Sequence, residues 1–269
     1  MTESQATTPT PTRAAAFFDL DGTLIPGSAN IPLAKAAFRE GFVTPGELVK
    51  DLRNGVSFLV KGATDERSAQ VRDRILAAVA GRPASQVEAL GDHFMADLVA
   101  AIQPRMHAVL DDHREQGHDR VVLSASPTEI VSRFAREAGL EYGTGTTSER
   151  DQDGVYTGRL DGPFCYREGK VTTMRTLSEQ HGYDLSASYA YSDSVSDLPM
   201  LEAVGNPVAV NPEPELRELA LARSWPIVET SSLPRVSLTS PSGLVQLAGH
   251  LASWAGGAVR RLMPDAVTS

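Results

Sequence analysis

Ala14-Ala15-Ala16-Phe17-Phe18-Asp19-Leu20-Asp21-Gly22-Thr23 is the stretch that decides the fold. An unbroken apolar run ends on a carboxylate. Apolarity without alternation reads as a strand buried on both faces, as in parallel sheets. Working outward, Val121-Val122-Leu123 ends at Ser124 and is followed by the helical spacing Ile130, Phe134, Ala138. Tyr189-Ala190-Tyr191 ends at Ser192-Asp193, and Asn206-Pro207-Val208-Ala209-Val210 reads as a fourth strand. Helical patterns such as Val171, Met174, Leu177 and Ser178 separate the strands. Alternating strands and helices predict an α/β fold with a parallel sheet covered on both faces. Ligands bind beyond the carboxyl ends of such strands, which is where these polar residues fall.

Between the first two strands the chain reads as helical: Leu48, Leu52 and Val56, then Val71, Ile75, Leu76 and Val79, then Phe94, Leu98 and Ile102. An insertion directly after the first strand is placed to act as a lid over Asp19 and to shield its chemistry from water. The expected organisation is a disordered lead-in over 1–12, a core from 13–27 and 104–230, a helical cap over 28–103, and a linker with an amphipathic helix over 231–269. From Thr146 to Phe164 the sequence alternates around Asp153-Gly154, as a hairpin would. The C-terminal face of Leu244, Leu247, Leu251, Trp254, Ala258 and Leu262 reads as a helix docked on the core. An interfacial membrane anchor is the alternative.

Composition bounds the function. The net charge of −9 argues against a nucleic-acid binder, which needs a basic face. It is compatible with a small phosphorylated substrate, because a metal ion and a few cations reverse the field within a pocket. A single cysteine, Cys165, excludes an internal disulfide and a cysteine zinc site, and reads as a packing residue. No run approaches the ~18 apolar residues of a membrane span. Residues 1–12, rich in Thr and Pro, do not resemble a signal peptide, so a cytoplasmic protein is expected.

Asp19 and Asp21 stand two apart at a strand end, so both carboxylates can serve one pocket. One carboxylate can attack phosphorus and the other can move the proton of the leaving alcohol and of water. Gly22, followed by Thr23, permits a tight turn that presents backbone amides to a ligand. Ser124 offers a hydroxyl to a phosphoryl oxygen, and the amides from Ala125 onward, read as a helix start, make an anion site. Taken singly, Ser124 reads first as a plain helix N-cap. Lys170 in the first turn of a helix opposes the helix dipole, a cost that a bound phosphate offsets. Asp193 and Asp197 supply hard oxygens suited to Mg²⁺, although Asp197 is also placed to cap the helix starting near Leu198. Arg39, Arg53, Lys61 and Arg67 are candidates for contacting an anionic substrate, each with a plain reading as a solvated helix charge.

Asp19-Leu20-Asp21-Gly22-Thr23, Val121-Val122-Leu123-Ser124, Lys170, and Ser192-Asp193 through Asp197 occur in the order of the haloacid dehalogenase superfamily motifs. The chain resembles that superfamily over roughly 14–228, and the helical insertion resembles its phosphoserine-phosphatase-like branch, subfamily IB. The resemblance implies a Rossmann-like core with a helical cap and a phosphatase acting through an aspartyl phosphate. Asp19 would be the nucleophile and Asp21 the acid/base, with Ser124, Ala125, Lys170, Gly22 and Thr23 around the phosphoryl group. Mg²⁺ would be held by Asp19, Asp21 and Asp193, with Asp197 a ligand or a partner behind the ligands. A phosphotransferase using the same intermediate, and a non-catalytic phospho-ligand module, are the alternatives. The departures bear on substrate. Ser28 stands where phosphoserine phosphatases carry a cap-side glutamate, and Ser194 and Ser196 replace the Gly and Asn of their metal loop. These departures leave the phosphatase chemistry untouched and the substrate open, so phosphoserine does not follow from the resemblance.

Overall fold

The computed structural model describes residues 13–42 and 65–230. The described residues up to 42 and Val71–Thr230 make one compact unit; residues 65–70 belong to a second, described only in that short stretch. The elements run β1 (Ala15–Asp19), α1 (Asn30–Arg39), α2 (Asp65–Val79), α3 (Ala84–Leu90), a 3-10 turn, α4 (Met95–Ala100) and α5 (Pro104–Glu115). Then follow β2 (Asp119–Pro127), α6 (Thr128–Glu137), β3 (Tyr142–Thr146), β4 (Ser148–Arg150), β5 (Tyr156–Leu160) and α7 (Glu168–His181). β6 (Tyr189–Ser192), a second 3-10 turn, α8 (Leu198–Glu202), β7 (Asn206–Val210), α9 (Pro214–Ala222) and β8 (Ile227–Val228) follow as the last of the described elements.

Six strands form one sheet in the order β3-β2-β1-β6-β7-β8, and every pairing in it is parallel. The α/β expectation is met. β1 lies inside the sheet and all five of its residues are buried, as the unbroken apolar run requires. Side chains alternate across it: Ala16 and Phe18 enter the core on one face, Ala15 and Phe17 that on the other. Phe18 stacks on Tyr191 of the neighbouring strand at 4.6 Å between ring centroids, and Phe17 meets Tyr183 edge-on at 6.2 Å. Leu98, Met106, Leu110, Ile130 and Phe134, from α4, α5 and α6, cover the first face. Met174, Met200, Leu201, Leu216 and Ala220, from α7, α8 and α9, cover the second.

The described part of the insertion between β1 and β2 is helical. Its readings at Leu48, Leu52 and Val56 lie outside the described residues, as do the lead-in and the C-terminal helix with its membrane alternative. Among the described residues no helix is long and apolar enough to cross a membrane. The hairpin appears as β4 and β5, antiparallel around Asp151–Val155. It also pairs with the insertion: Tyr156 N donates to Arg82 O at 3.0 Å, Gly81 N to Tyr156 O at 2.8 Å, and Ala84 N to Gly154 O at 3.0 Å. Tyr156 packs there with Val79, Ala84 and Val87.

Two elements depart from the sequence reading. β3, Tyr-Gly-Thr-Gly-Thr, carries no apolar run, because α6 and β2 crowd it. A Cβ on Gly143 would lie 2.4 Å from Val131 O, and one on Gly145 would lie 2.2 Å from Ser126 O. β2 does not stop at Ser124 but continues to Pro127, with a register shift against β3 between Leu123 and Pro127. The helix then starts at Thr128, so Ala125 lies in the irregular end of the strand and not at a helix N-terminus. Such irregularities re-aim side chains at sheet edges.

Candidate active site

The carboxyl ends of β1, β2 and β6 and the first turn of α7 bring the expected residues together. Lys170 Nζ donates to Asp19 Oδ1 at 2.6 Å and to Asp197 Oδ2 at 2.7 Å. Ser192 Oγ donates to the same Asp197 oxygen at 2.7 Å. The side chains of Lys170 and Asp197 are each 3% exposed and that of Asp19 is 10% exposed. Asp197 stands at the N-cap position of α8, but its side chain makes no cap bond there. That carboxylate instead bonds Lys170 and Ser192.

After Asp19 the chain folds back tightly. Gly22 N donates to Ile25 O and to Gly27 O, each at 2.9 Å. Gly22 has φ +81°, and a Cβ there would lie 2.2 Å from Asp193 Oδ2. Glycine is required twice at this point, by the backbone conformation and by the Asp193 carboxylate against it. Thr23 is fully buried, and its hydroxyl donates to Asp193 Oδ1 at 3.4 Å. Asp21 Oδ1 accepts from Ala29 N at 2.6 Å, which ties the acid to the start of the insertion.

Ser124 is buried, and its Oγ accepts from Ser126 N at 3.1 Å. The N-cap of α6 is Pro127, so Ser124 is not a cap. Ala125 O accepts from Thr146 Oγ1 at 2.8 Å, and Thr146 Oγ1 also accepts from Cys165 N at 3.3 Å. That threonine braces the Ser124 segment against the chain leading to Lys170. Cys165 is fully buried, and burial pushes its thiol up to about 11, in keeping with a packing role. Arg39 is exposed on α1; Arg53, Lys61 and the side chain of Arg67 lie outside the described residues.

Charge is the dominant feature. Burial pushes the Asp19 carboxyl well above the ordinary carboxylate range; Lys170 pulls it down, while Asp197, Asp193 and Asp21 push it up again. Burial likewise raises Asp21, against the Ala29 amide and Lys170. Burial alone would lower Lys170, but Asp19 and Asp197 outweigh it and hold the ammonium raised. Lys170 lies between two carboxylates while two more, Asp193 and Asp21, act on Asp19, a balance that calls for further positive charge. Among the described residues no three acidic, imidazole or thiol side chains enclose a cation by themselves. Mg²⁺ does not need that, since it binds through one or two carboxylates and completes its shell with water and phosphate oxygens. Asp19 and Asp193, beside the main chain of Asp21, fit such an ion.

Two residues that bond the site carry little signal in the sequence. Gln103, before α5, donates from Nε2 to Thr23 O at 2.7 Å and from its amide to Leu24 O at 2.9 Å. Glu213, after β7, bonds the Asp193 loop. Its place at a strand's carboxyl end was the one available signal; Gln103 carried none.

Residues 16–202 match the haloacid dehalogenase-like hydrolase family. The chain belongs to that family. A Mycobacterium tuberculosis protein named "Probable phosphatase" is 38% identical over 223 residues, 81% of this chain and 76% of its own. A phosphoserine phosphatase of the same organism is 32% identical over 247 residues, 90% of this chain and 80% of its own. A Neisseria meningitidis histidinol-phosphatase is 30% identical over 217 residues, 79% of this chain and 97% of its own.

Proposed function

We propose that this chain is a Mg²⁺-dependent phosphomonoester hydrolase acting on a small phosphorylated metabolite through an aspartyl phosphate on Asp19. The observation that carries the reading is Lys170, buried and bonded to Asp19 at 2.6 Å and Asp197 at 2.7 Å at the end of β1. A structural role alone gives little reason to bury so lopsided a cluster, whereas an incoming phosphoryl group makes use of it.

In this reading Asp19 attacks phosphorus, and the bond from phosphorus to the leaving oxygen breaks. Asp21, raised by burial, holds the proton that this oxygen takes up, then accepts one from the water that attacks the aspartyl phosphate. Lys170 and Ser124 hold the phosphoryl oxygens, together with amides of Thr23 and Ala125; the expected Gly22 amide is instead taken up by Ile25 O and Gly27 O, and Gly22 serves by making room for Asp193. Asp19, Asp193 and the main-chain oxygen of Asp21 hold Mg²⁺, which when bound offsets the carboxylate charge and polarises the phosphoryl oxygens. Asp197 acts behind Lys170, fixing the ammonium toward Asp19. The segment 28–103 serves as the cap.

The leaving group is a separate question. Relatives named for phosphoserine and for histidinol phosphate have almost equal identity, 32% and 30%. Ser28 lies beside the acid/base here: its side chain bonds Asp21 and its Oγ accepts from Asn30 N at 3.2 Å. It carries no charge for an ammonium group, so phosphoserine is not the favoured substrate. The test is hydrolysis of an aryl phosphate and of a panel of phosphorylated metabolites, with Asp19→Asn as the blank. The variant is expected to fold and to lack turnover; near-normal turnover by it would sink the assignment.

A further inference from the structure

Past the end of β7 the chain passes through Asn211-Pro212-Glu213-Pro214 into α9. Glu213 holds the loop that carries Asp193 at three points. Its amide donates to Asp193 O at 2.9 Å. Its Oε1 accepts from Val195 N at 2.6 Å and from Ser194 Oγ at 3.2 Å. Within the loop, Ser194 Oγ also accepts from Ser196 N at 3.2 Å and bonds Ser196 Oγ at 3.1 Å. Ser194 N donates to Ser192 Oγ at 3.2 Å, and that hydroxyl donates to Asp197 Oδ2 at 2.7 Å. The segment 192–197 is therefore one hydrogen-bonded unit with Asp193 at its turn.

Glu213 ties this unit to a stiff support. Prolines on both sides restrict its backbone. Asn211, at φ +43°, is pinned by its amide donating to Val228 O at 2.9 Å and by Thr230 N donating to its Oδ1 at 2.8 Å. Glu213 thus bonds the loop at Asp193 and just after it, and the Asp193 carboxylate lies against Gly22.

We propose that Glu213 is a positioning residue that presets Asp193 for the divalent cation. The inference rests on the Mg²⁺ reading above. Residues behind a metal's ligands typically contribute 10–100-fold in affinity.

The test is Mg²⁺ affinity of the full chain, read from the rise in melting temperature on titration and from the Mg²⁺ activation constant. Asp193→Asn serves as the reference. Glu213→Ala is expected to weaken Mg²⁺ by about tenfold or more, with a smaller loss of kcat at saturating metal. Glu213→Gln keeps an acceptor oxygen in place and is expected to stay close to wild type. Glu213→Asp, one methylene short of both donors, is expected to behave as the alanine variant and replaces it should the latter fail to fold. Ser194→Ala removes one of the three holds and is expected to weaken Mg²⁺ by a smaller factor. A folded alanine or aspartate variant that binds Mg²⁺ as tightly as wild type overturns the inference. So does a glutamine variant as weak as the alanine one, since the carboxylate would then act by charge and not by position. Wild-type protein that takes up no Mg²⁺ overturns both the metal reading and the role of Glu213; wild-type uptake lost in Asp193→Asn upholds the first alone.

Discussion

Lys170 gives the site its character at the scale of single residues. Its ammonium lies between Asp19 and Asp197, all three buried, so removing it leaves two carboxylates facing each other without compensation. Lys170→Met is expected to destabilise the fold by about 3–5 kcal/mol and to abolish turnover. The sign of its pH dependence follows from the charges. Lys170 is the group that lowers Asp19, so its loss raises the Asp19 carboxyl further. The variant's deficit is then smaller at mildly acidic pH, where Asp19 takes up a proton, than at alkaline pH. Denaturant melts of both proteins at each pH measure this, and a deficit independent of pH would contradict it. Gln103 belongs at the same scale. Gln103→Ala leaves Thr23 O without its partner in a buried loop, a loss of about 1–3 kcal/mol by the same melts.

At the scale of elements, β1 was legible because burial on both faces leaves an unbroken apolar run, and the helices because their apolar spacing is regular. β3 was not, for a steric reason: the sites that face α6 and β2 closely have no room for the β-branched side chains by which strands are recognised. Gly145→Ala tests that account. Its Cβ would meet backbone, Ser126 O at 2.2 Å, which no side-chain rotation relieves. The expected outcome is a marked loss of stability with reduced turnover, because the displaced segment also carries Ser124. An alanine variant as stable and active as wild type would show that the strand and the Ser124 segment are not coupled. The end of β2 was misread for a related reason. An irregular register has no periodicity, so the shift after Leu123 that moves Ala125 off the helix could not be seen in residue types.

For the whole molecule, the strand-end residues of the site could be read in order along the chain, because a parallel sheet gathers its carboxyl ends on one edge. What could not be read were the braces between distant segments, Gln103 to Thr23 and Glu213 to Val195, which depend on how loops meet in space. The core carries a separate pH response at His113. His113 is buried, with Nε2 2.7 Å from Tyr191 Oη and Nδ1 2.9 Å from His118 Nδ1. Burial, and then the neighbouring His118, lower it from 6.5 to about 4. The folded state thus binds this proton less readily than the unfolded chain. Stability is fully present above about 6.5 and declines as pH falls toward about 4. A His113→Gln variant is expected to lose part of that slope in melts across this range; an unchanged slope would place the acid sensitivity elsewhere.

In the proposed reaction the substrate's phosphoryl group passes through Asp19. Acid quench of the enzyme during turnover of a radiolabelled phosphomonoester, followed by peptide mapping, tests it most directly. Label on the peptide that contains Asp19, absent from Asp19→Asn, is the predicted result. Turnover with no label on that peptide, or label on another residue, would contradict it.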